Sequence, residues 1–337
     1  MKISKLVLLL MVFGLVQCKA PKNQKSAEVD LQKYAKKIDS KSLKDKLYTL
    51  ASDEFEGRET GEPGQKKAAE YLKDFYVENN IKSPLGGDNY FQEIPSSYFD
   101  NRFKDTENVL AIIEGEEFPE EIVVVSAHYD HLGIDEQGEI YNGADDDGSG
   151  TVAVMEIAKA FNKAVEEGYR PKRSILFMHL TGEEKGLLGS KFYVENPTFP
   201  LENTVANLNI DMIGRVDEAH EDDREFVYVI GSNRLSSEMD SVLNQQNRKY
   251  TQLNLDYTFN AENDPNRFYY RSDHYNFAKH NIPVTFFFNG VHEDYHKPTD
   301  TPDKIEYDIL EKRAKLIFYT TWEIANRDKR LVVDKAE

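Results

Sequence analysis

Sulfur and long apolar runs are both scarce in this chain, and each scarcity excludes something. Of 337 residues one is cysteine, Cys18, so no intramolecular disulfide can staple the fold. No stretch reaches the ~20 consecutive apolar residues that a spanning helix needs. The longest, Leu6 to Val16 behind Lys2 and Lys5, has the length and flanks of a signal-peptide core, so residues 1–18 are expected to be a signal and the chain to be exported. Positive charge is short as well: 42 Lys and Arg face 60 Asp and Glu, a net charge of −18, and −20 once the signal removes its two lysines. Such a field repels nucleic acid and anionic lipid, and neither is expected as a partner. What is present, 39% hydrophobic and 12% aromatic, is enough for an ordinary globular core.

Beyond the signal, Lys19 to Lys41 reads as a polar tether, and residues 42–337 as a single domain. Leu43, Leu47 and Leu50 share a helical face, and Asp53 to Arg58 closes that segment with Gly57. Ala68, Leu72, Phe75 and Tyr76 mark a second helix over Gln65 to Asn79, and Met155, Ala158 and Phe161 a third over Thr151 to Asn162. Asn108 to Ile113, Ile122 to Ala127, Ser174 to Leu180, Val205 to Ile210, Phe226 to Gly231 and Val284 to Phe288 read as strands. Leu235 to Asn247 is a helix between two of them, and a last helix after Pro302 buries Leu310, Ala314, Ile317 and Ile324. This alternation predicts an α/β fold, a mostly parallel sheet covered on both faces.

Acids and histidines gather at the ends of these strands. His128-Tyr-Asp130-His131 follows Ile122 to Val125, and Asp145-Asp146-Asp147-Gly-Ser-Gly comes soon after. Glu183-Glu184 follows the strand ending at Leu180, Asp211 the strand ending at Ile210, and Tyr295-His296 the strand ending at Phe288. Functional crevices in open α/β sheets lie beyond such carboxyl ends. Carboxylates packed together repel, and a cation would remove that cost. Imidazole nitrogen and carboxylate oxygen are the donors zinc accepts.

Competing patterns weigh less. His292-Glu293-Asp294-Tyr295-His296 matches the single-zinc H-E-x-x-H pattern, but that pattern works only on a helix, and Gly290 and Pro298 leave no length for one. His292 and Glu293 are therefore taken as chance neighbours or rim residues. The Asp145 to Gly148 run fails as a calcium loop, because its first and twelfth ligand positions would be Gly143 and Val154. His131, which could also serve as a ligand, is expected to line the cleft, and His179 to be a satisfied core histidine. Arg271 is read as pairing with a neighbouring acid rather than with a substrate carboxylate. Specificity is assigned to the loops around Ser232 to Leu235 and Tyr257 to Tyr270.

The order His128-x-Asp130, Asp146-Asp147-Gly-Ser-Gly, Glu183-Glu184, Asp211 and Tyr295-His296 resembles the M28 family of co-catalytic zinc peptidases. The resemblance implies a three-layer α/β/α sandwich around a mixed, mainly parallel sheet, and two Zn2+ ions sharing one carboxylate. Carried over, Asp146 bridges both metals and forms an unusual cis peptide with Asp147; His128 and Asp211 complete one site, Glu184 and His296 the other. Asp130 orients His128, Glu183 is the general base, and Tyr295 donates to the oxyanion. The expected activity is that of an aminopeptidase acting on peptides with a free N-terminus, Glu183 and Asp211 helping to bind the α-amine. The same scaffold also serves glutamate carboxypeptidases, one-zinc glutaminyl cyclases and metal-free binding proteins. A glutamate carboxypeptidase would carry an inserted domain, for which Asn108 to His128 leaves no room. The intact set of five ligand candidates favours two metals over one or none. Cys18, at the end of the apolar run, also resembles the lipidated cysteine of a bacterial lipoprotein signal, although Gln17 departs from the small residue usual before it. That resemblance implies a lipid anchor on a membrane, facing the periplasm or the cell surface.

Overall fold

The computed structural model describes residues 29–335. The signal segment, Cys18 and residues 19–28 of the expected tether lie outside the described residues. Residues 31–335 form one compact unit.

One eight-stranded sheet organises it. In chain order its strands are β1 (Phe91–Ile94), β2 (Thr106–Ile113), β3 (Phe118–His128), β6 (Arg173–Leu180), β7 (Thr204–Ile210), β8 (Phe226–Ile230), β9 (Asn254–Asp256) and β10 (Val284–Phe288), and β4 (Gly133–Ile134) and β5 (Ile140–Tyr141) form a separate hairpin. The spatial order is β1-β2-β6-β3-β7-β10-β8-β9. The four central strands, β6, β3, β7 and β10, are mutually parallel. Antiparallel pairing of β2 with β6 and of β8 with β10 makes the sheet mixed, as expected. Register sets Val124 beside Leu176 and Asn207, so neighbouring strands end almost level and their carboxyl ends share one rim.

Alternation of side chains then divides the core. Val124, Leu176, Met178 and Phe286 join Tyr193 of α5 (Leu188–Glu195) and Phe277 of α7 (His274–Ala278) in one buried cluster. On the other face Phe177 meets Phe161 of α4 (Gly150–Glu166), which stacks on Trp322 of α8 (Tyr307–Asn326) at 5.3 Å. The remaining helices are α1 (Leu31–Ala35), α2 (Ser40–Leu50), α3 (Pro63–Glu78) and α6 (Ser237–Gln246).

The tether reading needs correction. Tyr34, Ala35 and Ile38 are buried, Tyr34 stacks on Trp322, and its hydroxyl donates to Glu167 at 2.8 Å. Leu31, Tyr34, Ala35 and Ile38 follow a helical spacing that the surrounding lysines conceal, and the burial of the last three docks residues 31–41 against α4 and α8. Asp39 then caps α2 by accepting from the Ser42 amide at 2.9 Å.

Candidate metal centre and substrate pocket

The segments beyond β3, β6, β7 and β10, with the segment that leads into α4, bring together all five expected ligands. Asp146 sits at the middle. Its Oδ1 lies 3.3 Å from His128 Nε2, and its Oδ2 lies 3.0 Å from His296 Nε2. Asp211 Oδ1 is 3.6 Å from the same His128 nitrogen, and Glu184 Oε2 is 3.3 Å from His296 Nε2. The two oxygens of one carboxylate therefore face two separate groups of donors, contributed from the ends of four neighbouring strands. The Asp146–Asp147 peptide is cis. Residues 293–296 form a turn rather than a helix, which agrees with setting the H-E-x-x-H pattern aside.

Three placements differ from the sequence reading. His131, expected to line the cleft, is fully buried within the cluster, its Nδ1 2.8 Å from Glu184 Oε1 and 3.9 Å from Asp146 Oδ2. The Asp130 carboxylate stands 3.7 Å from His128 Nδ1, too far for a hydrogen bond, while the Asp130 main-chain oxygen is 3.1 Å away. Its carboxylate oxygens are taken up elsewhere, accepting from Thr60 Oγ1 at 2.7 Å and from the Glu183 amide at 3.2 Å, so Asp130 ties the Glu183 turn to the end of β3. His292 is no bystander: it is buried with Nε2 3.1 Å from Asp145 Oδ2, and Asp145 in turn accepts from the Gly214 amide at 2.7 Å.

Sequence reasoning missed the groups that hold these loops in place. Arg58 is fully buried and donates to the main-chain oxygens of Tyr129 (2.8 Å), Asn142 (2.6 Å) and Gly143 (2.8 Å), clamping the segments that carry His128 and Asp146. Arg313 does the same for the segment after Asp211, donating to Ile213 and Arg215 at 2.8 and 2.7 Å. Burial pulls both guanidinium groups down to about 10. Asp300 accepts from the amides of Asp145 and Asp146 at 3.0 and 3.2 Å. Asp147 Oδ1 accepts from the amides of Gly150 and Met212, at 3.0 and 2.9 Å, which caps α4 and joins it to the end of β7. Only glycine fits at 150, because a Cβ there would lie 2.4 Å from the Asp147 carboxylate. No local pattern announces a buried arginine whose partners are carbonyls from remote loops.

Whether these residues suit a cation is answered by atoms left without partners. His128 Nε2, both ring nitrogens of His131, Asp147 Oδ2 and Glu184 Oε1 are buried and make no hydrogen bond. Ligand atoms of His128, Asp147 and Asp211 lie within 4.8 Å of one another, and so do those of His131, Asp146 and Glu184. Orphaned buried polar atoms cost ~1–3 kcal/mol each, so their convergence fits a metal. The electrostatics agree. Burial, then the charges of Asp211, Glu184 and Asp273, push Glu183 well above the usual carboxylate range even against His128. Burial and neighbouring acids push Asp147 up in the same way. Burial works against His296 as well, yet its bonds to Asp146 and Glu184 hold it up at about 10. Without a cation, protons must offset the crowded acids.

The pocket beside this cluster is lined by Asp146, Glu183, Asp211 and Tyr295 together with Met212, Phe268, Phe286 and Phe288, its space of about 340 Å³ running out into open solvent. The Tyr295 ring stacks on His296 at 3.9 Å, and burial together with the charges of Asp146, Asp211 and Glu184 raises its hydroxyl far above the ordinary tyrosine range, keeping it protonated. Of the two specificity loops expected, 257–270 reaches the pocket through Phe268; residues 232–235 do not line it.

The family model for peptidase family M28 matches residues 108–321. The chain belongs to that family. It is 31% identical over 225 residues to a probable leucine aminopeptidase of Arthroderma benhamiae, covering 65% of this chain and 57% of that protein. It is 39% identical over 106 residues to a probable glutamate carboxypeptidase of Arabidopsis thaliana, covering 31% of this chain and 14% of that protein. The match thus spans little more than half of the first relative and a small part of the second. Solved structures share the fold: LapB of Legionella pneumophila at a TM-score of 0.70 and 19% identity, over 89% of this chain and 76% of that one. The zinc aminopeptidase BSAP of Bacillus subtilis gives 0.66 and 17%, over 89% and 98%.

Proposed function

We propose that this M28 chain is an exported di-zinc aminopeptidase that removes N-terminal residues from peptides. The observation that carries the reading is the Asp146 carboxylate, whose two oxygens face His128 and His296, one each, within 3.3 Å, with Glu184 and Asp211 completing the two groups. His128, Asp146, Glu184, Asp211 and His296 would hold the two ions, and His131 lies near enough to Glu184 to join or steady the second group. Zinc bound there supplies Lewis acidity to the scissile carbonyl and to water.

The chain's own residues do the rest. Glu183 accepts a proton from the attacking water at its carboxylate and returns it to the leaving amine. Asp130, bonded to the Glu183 amide, keeps that carboxylate aimed into the pocket. Tyr295 retains its proton and donates to the oxygen that gains charge. The carboxylates of Glu183 and Asp211 on the pocket wall suit a free α-ammonium group. The relative named as a probable leucine aminopeptidase supports this choice. The segment similar to a probable glutamate carboxypeptidase supplies the second reading. We further infer that Cys18 carries a lipid anchor at the membrane surface, toward the periplasm or cell exterior; Cys18→Ser should move the protein from the membrane to the soluble fraction.

Metal content and hydrolysis of aminoacyl-nitroanilides test the main reading. Two zinc ions per chain and turnover that N-acetylation of the substrate abolishes are expected. Cleavage of blocked peptides from the carboxyl end would instead establish the second reading.

A further inference from the structure

The pocket wall holds a cation that the protein itself leaves unused. Arg271 lines the pocket together with Asp146, Glu183, Asp211 and Tyr295, and its guanidinium lies over the Phe268 ring at 4.9 Å. Among the described residues it makes no ion pair, although the chain carries 60 acidic side chains and acids line the same pocket. The pairing with a neighbouring acid expected from sequence is absent. The acids that share the pocket face other groups, Asp146 and Asp211 standing 3.3 and 3.6 Å from His128 Nε2, and the turn that carries Glu183 is tied to Asp130 through its amide.

Chemistry then limits what Arg271 can serve. A guanidinium stays charged under all physiological conditions and presents a planar fork of donors that matches a carboxylate. Phe268, Phe286, Phe288 and Met212 give the same pocket apolar surface beside its acids, and Arg271 itself is exposed, so its fork is open to an incoming anion with which it can make a charge-assisted bond. A short apolar stem ending in an anion matches this arrangement. We infer, on the basis of the aminopeptidase reading, that Arg271 is a specificity residue that binds a carboxylate of the substrate. Two substrate groups share that chemistry: the side chain of an N-terminal glutamate or aspartate, and the terminal carboxylate of a dipeptide. Either makes Arg271 a selector for anionic substrates in a protein whose overall charge repels them.

The test compares kcat/KM for matched charged and neutral substrates on the zinc-loaded full chain and its Arg271→Gln, Arg271→Lys and Arg271→Glu variants. Glutamyl- against glutaminyl-nitroanilide reports the side-chain arm, and leucyl-glycine against leucyl-glycinamide the terminal arm. In Arg271→Gln one of these ratios should fall about tenfold, the loss of one charge-assisted bond. Arg271→Lys should retain part of it, and Arg271→Glu should lower it further. Loss of packing alone would lower both members of a pair together and leave the ratio unmoved. Both ratios staying within twofold of wild type in Arg271→Gln, while the wild type hydrolyses the amides, would overturn the inference and spare the aminopeptidase reading. A wild type that cleaves no unblocked amide would overturn both.

Discussion

Among the described residues, the cluster of buried histidine and carboxylate around His220 and the one around Asp146 are built differently. In one, His220 lies flat on Phe226 with ring centroids 3.5 Å apart, its Nδ1 2.7 Å from Asp217 and its Nε2 3.2 Å from Asp256, while the Tyr228 hydroxyl donates to the second Asp217 oxygen at 2.8 Å. Both imidazole nitrogens have a partner. In the other, His128, His131, Asp147 and Glu184 turn orphaned atoms toward shared centres. The contrast teaches that a histidine among acids is not yet a metal site. What marks the second cluster is convergence of lone pairs that nothing in the protein satisfies, whereas the first closes on itself and serves the fold.

Substitutions can break that contrast, and the largest effect belongs to catalysis. Glu183→Gln should lower kcat by about 10²–10⁴-fold while metal content, read by mass spectrometry, stays at the wild-type level. Wild-type turnover in this variant would remove the assigned base. Next, Glu184→Ala should lose roughly half of the bound metal, because it strips one of the two groups. His220→Ala should keep all of it and instead cost about 1–2 kcal/mol of stability in denaturant titration, because Asp217 and Asp256 each lose one hydrogen-bond partner. Metal loss in His220→Ala would erase the distinction between the clusters.

Arg58→Met should cost about 2–3 kcal/mol and weaken metal retention, since three loop oxygens lose their donor and the loops they belong to carry ligands. Equal metal affinity in this variant would show that the clamp serves stability alone. The smallest effect concerns a third kind of buried histidine, one without any carboxylate partner. Burial lowers His179 and His274 to about 3. Their folded values lie below the unfolded value of ~6.5, so the unfolded chain takes up their protons first, and stability present above pH ~6.5 is lost as pH falls toward about 3. His274 stacks on Phe286 at 4.8 Å, and His274→Phe should reduce proton uptake on unfolding at pH ~5 by about one. An unaltered slope of stability against pH would count against this.

Much of the molecule is legible in its residues. The strand from Ile122 and the helices of Leu43, Leu72, Phe161 and Leu310 follow from periodicity, because local spacing decides which face can be buried. The same holds for the rule that acids and histidines beyond parallel strands share a rim, which leads to the clusters after β3, β6, β7 and β10, while only the M28 resemblance singles out His128, Asp146, Glu184, Asp211 and His296 among them. The residues misread are those whose role depends on a remote partner. Sequence puts His131 on the cleft wall because nothing near it in the chain shows Glu184 beside it, and it pairs Arg271 with an acid because composition favours one. Lysines hide the docked helix at Leu31.

Sequence by itself determined the elements, their alternation and the chemical types delivered to the sheet's carboxyl edge, since these depend on side-chain period and on strand ends. Only the tertiary structure decided which donors face each other across Asp146, that the Asp130 carboxylate is taken up by Thr60 and Glu183, and that the guanidinium of Arg271 stands without an ion pair in the pocket. Those outcomes depend on the register of β6, β3, β7 and β10, and on loops held by Arg58 and Arg313, where groups far apart along the chain must satisfy each other at distances of about 3 Å.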